Sequence, residues 1–391
     1  MKPEKADVLV IGGGPAGCAV SLRLAHTGCR VILLERTAYQ EFRPGESLPP
    51  AAVPRLEELG VWQQFADTKP EPAFGVESAW GTSDLDATAF LTNPSLNGWH
   101  VDRLRFDAML NSAAEAAGAR VYRNAKVTLI ERLPNHAWFA TVASPQGELH
   151  FLSSFIVDAT GRAARVCAQL RICRRTVDSL VGIGCVTFDK SFSGSMPSRV
   201  ESHPLGWWYS AGLPDGGAIV VFFTDSDLCS GYGLTRVDGW RNTLAESIHT
   251  RERFAWTIPN EPLRVFPVAS HCLEAACEDS WLAVGDAVIG RDPLSSSGID
   301  FALASAARGA GVISALANGD RTQLNAYNSA IRTDFDAYLN QRHAYYSMEN
   351  RWIDSPFWQR RHRKTNGFIG IQESRLPKEQ RRDLRTLSSR V

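Results

Sequence analysis

The sequence predicts an α/β fold in which a mainly parallel sheet carries an inserted antiparallel sheet and is followed by helices. Three observations support this prediction. Residues 7–35 follow the order strand, glycine-rich turn, helix and strand, which is typical of a parallel βαβ unit. Residues 181–258 alternate apolar and polar side chains, as strands with one buried face do. After residue 300, apolar residues recur at helical spacing.

The composition is that of a globular protein with a large core. The 391 residues exceed one average domain and favour two closely joined domains. Hydrophobic residues make up 44% of the chain, and 42 basic residues balance 42 acidic ones, so the net charge argues against nucleic-acid binding. The eight cysteines form no C-x-x-C pair and are expected to be buried, reduced thiols. Without a cleavable leader, a membrane-spanning stretch or metal-ligand spacing, we expect a cytoplasmic protein with no membrane or metal partner.

The strongest motif lies at the amino end, in "ADVLVIGGGPAGCAVSLRLAHTGCRVILLER". Gly12, Gly14 and Gly17 satisfy G-x-G-x-x-G between a strand and a helix, and Glu35 closes the second strand. The first glycine permits the tight turn, the second lets the backbone approach a pyrophosphate, and the third lets helix and strand pack closely. An acidic residue at the distance of Glu35 accepts hydrogen bonds from a ribose. This spacing predicts a Rossmann-like dinucleotide site.

Later segments favour FAD over a nicotinamide cofactor. "FIVDATGR" places Asp158 and Gly161 after an apolar run, and "SWLAVGDAV" repeats the pattern at Gly285 and Asp286. Arg103 stands just before an amphipathic helical segment. Distant segments that converge on one extended ligand suit FAD better than a cofactor held in a single βαβ half.

With these motifs the chain resembles the para-hydroxybenzoate hydroxylase superfamily, on the branch shared with flavin-dependent halogenases. The resemblance covers about Asp7 to Trp358. The segments "RPGESLPPAAVPRLEELGVW", "ESAWG", "GWHVDRLRFDAML", "DPLSSSGID" and "YYSMENRWIDSPFW" resemble a narrower group. Its members are maturation flavoproteins that hydroxylate a protein tryptophan on the way to cysteine tryptophylquinone.

The resemblance implies a set of FAD-binding residues. The pyrophosphate would lie against Gly12, Gly14, Pro15, Ala16 and Gly17, and the ribose against Glu35. Asp286 would bind the ribityl chain, and Pro293–Ile299, here called the flavin loop, would pass along the isoalloxazine ring with Ser297, Gly298 and Ile299. The remaining expected cofactor residues are Arg36, Ser47, Arg103, Val127, Asp158, Gly161 and Gly285.

In this superfamily, reduced flavin and oxygen give a C4a-hydroperoxide, which either hydroxylates an aromatic ring or oxidises a halide. Halogenases carry a lysine in the strand after G-E-S, whereas "PAFGVESAWG" has none. Tryptophan halogenases have an acid in the flavin loop where this chain has Ser295. The halogenase signature W-x-W-x-I-P is incomplete, because Phe254 replaces the first tryptophan ahead of Trp256, Ile258 and Pro259. Hydroxylation is therefore favoured, and halogenation of a free or carrier-tethered metabolite is the alternative.

Candidate catalytic residues are Glu46, Ser295 and Ser296. Glu46 would orient the substrate or move a proton, or else it is a helix cap or an ion-pair partner. Five aromatic residues are candidates for the cavity wall, with packing in an ordinary core as the alternative: Trp80, Trp99, Trp207, Trp208 and Tyr209.

The predicted domains are discontinuous. The FAD-binding domain takes residues 1–73, 98–180 and 265–320, the antiparallel-sheet substrate domain 74–97 and 181–264, and a C-terminal helical region 321–391. Residues Gln359–Val391 hold ten Lys and Arg against three Asp and Glu, which fits either a solvated tail or a docking arm for an acidic partner. The expected partners are an aromatic substrate, namely tryptophan in a polypeptide, and either NAD(P)H or a separate flavin reductase. A flavin-binding chaperone without turnover is a further alternative.

Overall fold

A computed structural model of the chain describes residues 2–40, 42–90, 97–188, 196–254 and 263–365. The strands in these ranges are β1 Glu4–Ile11, β2 Val31–Leu34, β3 Ser47–Leu48, β4 Glu71–Ala73, β5 Gly75–Ala79, β6 Asp86–Ala89, β7 Gly98–His100, β8 Arg120–Tyr122, β9 Lys126–Arg132, β10 Trp138–Ser144, β11 Gly147–Asp158, β12 Arg174–Thr176, β13 Leu180–Phe188, β14 Ser198–His203, β15 Gly206–Gly212, β16 Gly217–Asp225, β17 Arg264–Pro267, β18 His271–Leu273, β19 Cys277–Glu278, β20 Trp281–Ala283 and β21 Ile289–Gly290.

The helices begin with α1, which follows the first strand directly and has Pro15 as its first residue. They are α1 Pro15–His26, α2 Val53–Glu58, α3 Trp62–Asp67, α4 Arg103–Ala116, α5 Arg165–Gln169, α6 Ser226–Gly231, α7 Val237–Glu246, α8 His249–Phe254, α9 Gly298–Ala317, α10 Thr322–Ser347 and α11 Pro356–His362.

A mainly parallel sheet forms the centre of the first layer. Strands β8, β2, β1, β11 and β20 lie side by side and all run parallel. The central strands are apolar along their length because helices cover the sheet, and Leu9, Val10 and Leu33 are fully buried. Helix α1 lies between α4 and α9. The predicted α/β class and the amino-terminal βαβ unit are confirmed.

The second layer is a seven-stranded sheet in the order β17-β13-β16-β15-β14-β5-β6. Its strands come from two parts of the chain, 75–89 and 180–267. The predicted hairpin of "GWWYSAGLPDGGAIVVFFTD" is confirmed: β15 and β16 pair in antiparallel register, with Trp207 opposite Phe223.

Helix α9 corrects one expectation. By length and composition alone, Gly298–Ala317 is long and apolar enough to cross a membrane, although we predicted no such stretch. Most of it is buried inside the protein, against α1 and α10, because its small residues permit close helix packing. This is the burial of a core helix.

Two of the eight cysteines depart from the predicted burial. None of the eight cysteines forms a disulfide, and six of them are buried. Cys29 is partly exposed and Cys173 is exposed, because Cys173 lies in the loop directly before β12 rather than inside an apolar strand.

The C-terminal helices close onto the second layer. Phe357 and Trp358 of α11 are fully buried, and the Trp358 indole donates a hydrogen bond to the His203 carbonyl at 2.9 Å. The Arg361 guanidinium lies 2.7 Å from the buried carboxylate of Asp225 at the end of β16. The first arginines of the predicted basic tail are therefore structural ion-pair partners, and residues 366–391 lie outside the described part of the chain.

Candidate active site

A cleft of about 700 Å³ runs between the two layers and brings the sequence motifs together. It begins at the glycine turn after β1. Gly17 packs against this turn, since a Cβ there would lie 1.8 Å from the Gly12 carbonyl oxygen. Gly14 is different: a Cβ there would meet nothing within 4 Å, and the residue lines the cleft. The turn therefore exposes backbone, and the amino end of the twelve-residue α1, to the cleft.

Glu35 stands at the end of β2 and is held by the chain itself. Its buried carboxylate accepts hydrogen bonds from the Gly13 N–H at 2.8 Å and from the Thr37 N–H and hydroxyl at 3.0 and 2.6 Å. Arg43 adds an ion pair at 2.8 Å. Most of the acceptor sites of Glu35 are used, so a ribose hydroxyl would share a carboxylate that is already oriented.

Two arginines meet over a fully buried acid in the middle of the cleft. Arg43 lies 2.9 Å and Arg103 3.1 Å from Asp107 of α4. Burial by itself lowers the pKa of Arg43, but the carboxylates of Glu35 and Asp107 outweigh it and the pKa is raised. Arg103 also donates to the Pro44 carbonyl at 2.6 Å. Both side chains line the cleft as fixed cations.

Asp286 follows the carboxyl end of β20, at the same edge of the parallel sheet as the glycine turn, and faces the cleft. Its carboxylate lies 3.2 Å from the Arg162 side chain, which also donates to the Ala269 carbonyl at 2.9 Å. Asp286 keeps about one third of its side chain exposed. It can therefore still accept a hydrogen bond from a ligand hydroxyl.

The flavin loop is fastened from the side of α10. Asp292, directly before it, accepts hydrogen bonds from the Tyr346 hydroxyl at 2.8 Å and from Arg342 Nε at 3.3 Å. The Tyr338 hydroxyl accepts the Asp292 N–H at 2.7 Å. Inside the loop, the Ser295 hydroxyl lies 2.9 Å from that of Ser297. Side chains of α10 thus hold the residue before the loop, and the contact between the two serines holds the part that leads into α9.

The end of the cleft beside the flavin loop is an apolar compartment with one polar pair. Ile219, Val221 and Phe223 line it from β16, and Phe266 and Val268 line it from β17 and the residue that follows. The polar pair joins the two layers. The Tyr209 hydroxyl donates a short hydrogen bond to Glu46 Oε1, and the Gly45 N–H donates to Oε2 at 3.2 Å.

The Glu46–Tyr209 pair has an unusual electrostatic environment. Glu46 is buried, and no arginine, lysine or histidine of the described residues forms an ion pair with it. Burial raises the pKa of Tyr209 well above its ordinary value, and the Glu46 carboxylate raises it further. Tyr209 therefore stays a hydrogen-bond donor at neutral pH. The sequence left open whether Glu46 caps a helix or forms an ion pair, and among the described residues it does neither.

Most predicted site residues line this one cleft. Gly17, Asp158 and Gly285 do not. Asp158 turns inward, where its carboxylate accepts from Thr160 and from the Cys167 N–H at 2.9 Å. The predicted residues that line the cleft are Gly12, Gly14, Pro15, Ala16, Glu35, Arg36, Glu46, Ser47, Arg103, Val127, Gly161, Asp286, Pro293, Ser295, Ser296, Ser297, Gly298 and Ile299.

Of the five candidate wall aromatics, Tyr209 alone lines the cleft. Trp207 stacks on Phe223 at 4.2 Å and Trp208 packs on Trp240 at 4.9 Å, so both serve the core. Trp80 and Trp99 pack edge-on against other aromatic rings. The incomplete tryptophan signature at Trp256, Ile258 and Pro259 lies outside the described residues.

Sequence reasoning missed four arginines that line the cleft: Arg43, Arg162, Arg165 and Arg291. Arg43 opens the quoted segment "RPGES", and Arg162 ends "FIVDATGR". A basic residue at the edge of each ligand-binding motif was the available signal. Its meaning depends on side-chain direction, which spacing alone does not give.

The residues present fit FAD. The glycine turn offers a cradle that a Cβ at Gly14 would enter, and fixed cations stand beside it for phosphate charge. Asp286 offers an exposed acceptor for a polyol, and the compartment beyond it suits a flat ring. A two-layer α/β protein with such a cleft is a flavoprotein of the oxidoreductase class.

The comparisons with known proteins agree. Residues 5–228 match the family described as FAD binding domain, and the chain belongs to this family. A curated relative in Marinomonas mediterranea, a putative FAD-dependent oxidoreductase called LodB, is 32% identical over 365 residues, 92% of this chain and 97% of the relative. The chain is thus an FAD-dependent enzyme of the flavin-dependent halogenase and hydroxylase superfamily, as predicted.

Two solved structures share the fold. The myxobacterial chondrochloren halogenase CndH is 23% identical, with a TM-score of 0.84 over 99% of this chain and 91% of that one. QhpG, a peptidyl tryptophan dihydroxylase essential for tryptophylquinone cofactor biogenesis, is 22% identical, with a TM-score of 0.75 over 91% of this chain and 78% of that one. One of these proteins is a halogenase and the other a hydroxylase, so the fold alone does not separate the two activities.

Proposed function

We propose that this protein is an FAD-dependent monooxygenase that hydroxylates tryptophan in a partner polypeptide during cysteine tryptophylquinone biogenesis. The similarity to QhpG, whose described substrate is a peptidyl tryptophan, supports the choice of substrate. The segments from "RPGES" to "YYSMENRWIDSPFW" support the same narrower group.

The observation that carries the proposal is the chemistry of the compartment beside the flavin loop. Among the described residues, Lys126 is the one lysine that lines the cleft. It lies at the other end, because the neighbouring Ala125 N–H donates to the Glu35 carbonyl at 2.8 Å. The strand in which halogenases carry their lysine is β5, and its charged residue is Glu77, which pairs with Arg199 at 2.6 Å and Arg253 at 2.9 Å. The compartment therefore has an apolar wall that suits an indole ring. Among the described residues, no lysine lies there whose amine could hold an oxidised halide.

The chain's residues bind, orient and exclude water around the reaction. Bound FAD, once reduced, supplies oxygen activation from O₂. Phe223 and Phe266 offer aromatic surface to the substrate ring. Replacing a ring hydrogen by oxygen releases a proton, and Glu46 is the carboxylate at hand to accept it. Tyr209 fixes the Glu46 carboxylate by its hydrogen bond.

The direct test uses the FAD-loaded protein, a flavin reductase with NADH, oxygen and chloride. Three substrates are compared: the unmodified tryptophylquinone subunit of an amine dehydrogenase or oxidase, its tryptophan-to-phenylalanine variant, and free tryptophan. Mass spectrometry of the native subunit should show added oxygen at the tryptophan, with no change in the variant. Oxygen added to free tryptophan alone would contradict the polypeptide substrate.

Halogenation is the second candidate because the fold also matches CndH. The same reactions distinguish it, since a chlorine isotope pattern in any product would contradict hydroxylation. Omitting the reductase while keeping NADH shows whether the protein accepts electrons directly. Flavin binding without any product would favour a holding function instead.

A further inference from the structure

Arg291 has a position in the fold that the proposed reaction does not explain. It stands two residues before Pro293 and lines the cleft, and its guanidinium lies between aromatic rings of α9 and α10. The guanidinium carbon is 4.2 Å from the ring centre of Phe301 and 5.8 Å from that of Tyr338. Both rings attract the cation through their faces.

The charge of Arg291 has no carboxylate partner among the described residues. Nearby acids have their own arginines: Asp286 pairs with Arg162 at 3.2 Å, Asp300 with Arg55 at 3.2 Å, and Asp334 with Arg308 at 2.5 Å.

The remaining acid next to Arg291 is Asp292, and it points elsewhere. Its carboxylate is bound by Tyr346 at 2.8 Å and by Arg342, which it shares with Asp178. The Nε of Arg291 is buried and has no hydrogen-bond acceptor. Burial lowers the pKa of Arg291, yet guanidinium groups stay protonated in proteins. The partly buried cation therefore has no carboxylate in direct contact, although the more distant carboxylates of Asp334, Asp300 and Asp286 attract it and raise its pKa in opposition to burial.

Besides lining the cleft, this cation is hydrogen-bonded to the flavin loop. Arg291 Nη1 donates to the Ser297 hydroxyl at 3.2 Å, and Ser297 in turn lies 2.9 Å from the Ser295 hydroxyl. Both serines line the cleft. The amino end of the twenty-residue α9 begins at Gly298 and adds a partial positive charge at the same end.

We infer that Arg291 stabilises the negative charge that the isoalloxazine ring acquires on reduction, and so raises the reduction potential of bound FAD. Two electrons and one proton convert the oxidised ring into the anionic reduced ring. A nearby cation in a medium of low dielectric constant favours the anion over the neutral oxidised form. The inference rests on FAD binding and not on the identity of the substrate.

The test compares Arg291→Met, Arg291→Lys and Ser297→Ala with the native protein, each loaded with FAD. The measurement is the midpoint potential of the bound flavin, taken by slow reduction beside a reference dye. Arg291→Met should shift the potential to a more negative value. Arg291→Lys should remain near the native value because the charge is kept, and Ser297→Ala should shift less than Arg291→Met because only the hydrogen bond is lost.

An unchanged potential in FAD-loaded Arg291→Met would overturn the inference. If that variant does not retain FAD, the pair Arg291→Lys and Arg291→Gln makes the same comparison, and equal potentials in the two would overturn it as well. The potential is read without any aromatic substrate. Failure of tryptophan hydroxylation and failure of this inference are therefore seen in separate experiments.

Discussion

Gly14 and Gly17 belong to one motif but lack a side chain for different reasons. A Cβ on Gly17 would collide with the Gly12 carbonyl, 1.8 Å away, whereas a Cβ on Gly14 would enter the open cleft. We expect Gly17→Ala to destabilise the FAD-free protein by about 1–3 kcal/mol or more, the usual cost of overpacking. Gly14→Ala should leave that stability unchanged and weaken FAD binding about tenfold or more, or ~1.4 kcal/mol.

Thermal unfolding of the FAD-free proteins and flavin fluorescence titration separate these two effects. Gly28→Ala is not a suitable control, because its φ of 80° strains any side chain. Gly311→Ala in α9 is suitable, since a Cβ there meets nothing within 4 Å. Equal loss of stability in Gly14→Ala and Gly17→Ala would contradict the division of roles.

Glu46 and Tyr209 make a second prediction at the residue scale. Glu46→Gln removes the proton acceptor but keeps the shape, so product formation should fall by about 10²-fold. Tyr209→Phe removes one hydrogen bond to a charged group, which is worth about 1.5–3 kcal/mol, so a fall of about tenfold or more is expected. FAD content should stay native in both variants. A native rate in Glu46→Gln would show that solvent takes the proton.

At the scale of elements, the sequence predicted the parts that have a strong local signal. The glycine turn fixed the position of α1, and the turn "PDGG" fixed the hairpin of β15 and β16. The direction of side chains on β15 was not predictable. Six of its seven residues are buried, because both faces of this strand are covered. The alternation of side chains along the sequence therefore does not indicate which face of β15 meets the cleft. Tyr209 and its neighbour Trp208 therefore looked equivalent.

Helix α11 gives a pH-dependent prediction. Arg361 and Arg360 hold Asp225 at 2.7 and 2.9 Å, and burial, which raises the pKa of Asp225, is outweighed so that the pKa is lowered. The hydrogen bond from Arg360 lowers the pKa of the exposed Asp227 to about 2. Each of these carboxylates has a lower pKa in the folded protein than in the unfolded chain, where the pKa of Asp is about 3.9. The ion pairs therefore stabilise the fold fully at pH values above the unfolded pKa, and this stabilisation is lost as the pH falls through the folded pKa.

We therefore expect α11 to hold its place down to about pH 4 and to loosen between there and about pH 2, the pKa of Asp227. Asp225→Asn leaves Arg361 buried without its anion and should cost about 3–5 kcal/mol at neutral pH. Tryptophan fluorescence during chemical unfolding, to which Trp358 contributes one of eleven indoles, measures the stability of both proteins. The stability gap between native protein and Asp225→Asn should close in acid, and a gap that is constant with pH would contradict the assignment.

At the scale of the whole molecule, residues far apart in sequence meet at the flavin loop. Tyr346 of α10 donates to Asp292 at 2.8 Å and accepts from the Trp207 indole of β15 at 3.0 Å. The C-terminal helices thus connect the loop to the second sheet. No short motif predicts this arrangement, because it depends on where a 26-residue helix lies against two layers. The sequence predicted that this helix forms, whereas its contacts with the loop and the second sheet are seen only in the structure.

This connection determines where the chain can be shortened. Ending it after Phe357 removes Trp358, which is fully buried, and Arg361, which neutralises Asp225. That truncation should cost at least about 3 kcal/mol and lower FAD content with it. Ending it after Thr365 keeps all of α11 and should leave unfolding and FAD content native. Binding of the tryptophan-bearing subunit by the Thr365 truncation then measures what residues 366–391 contribute, and an unfolded Thr365 truncation would contradict this division of the chain.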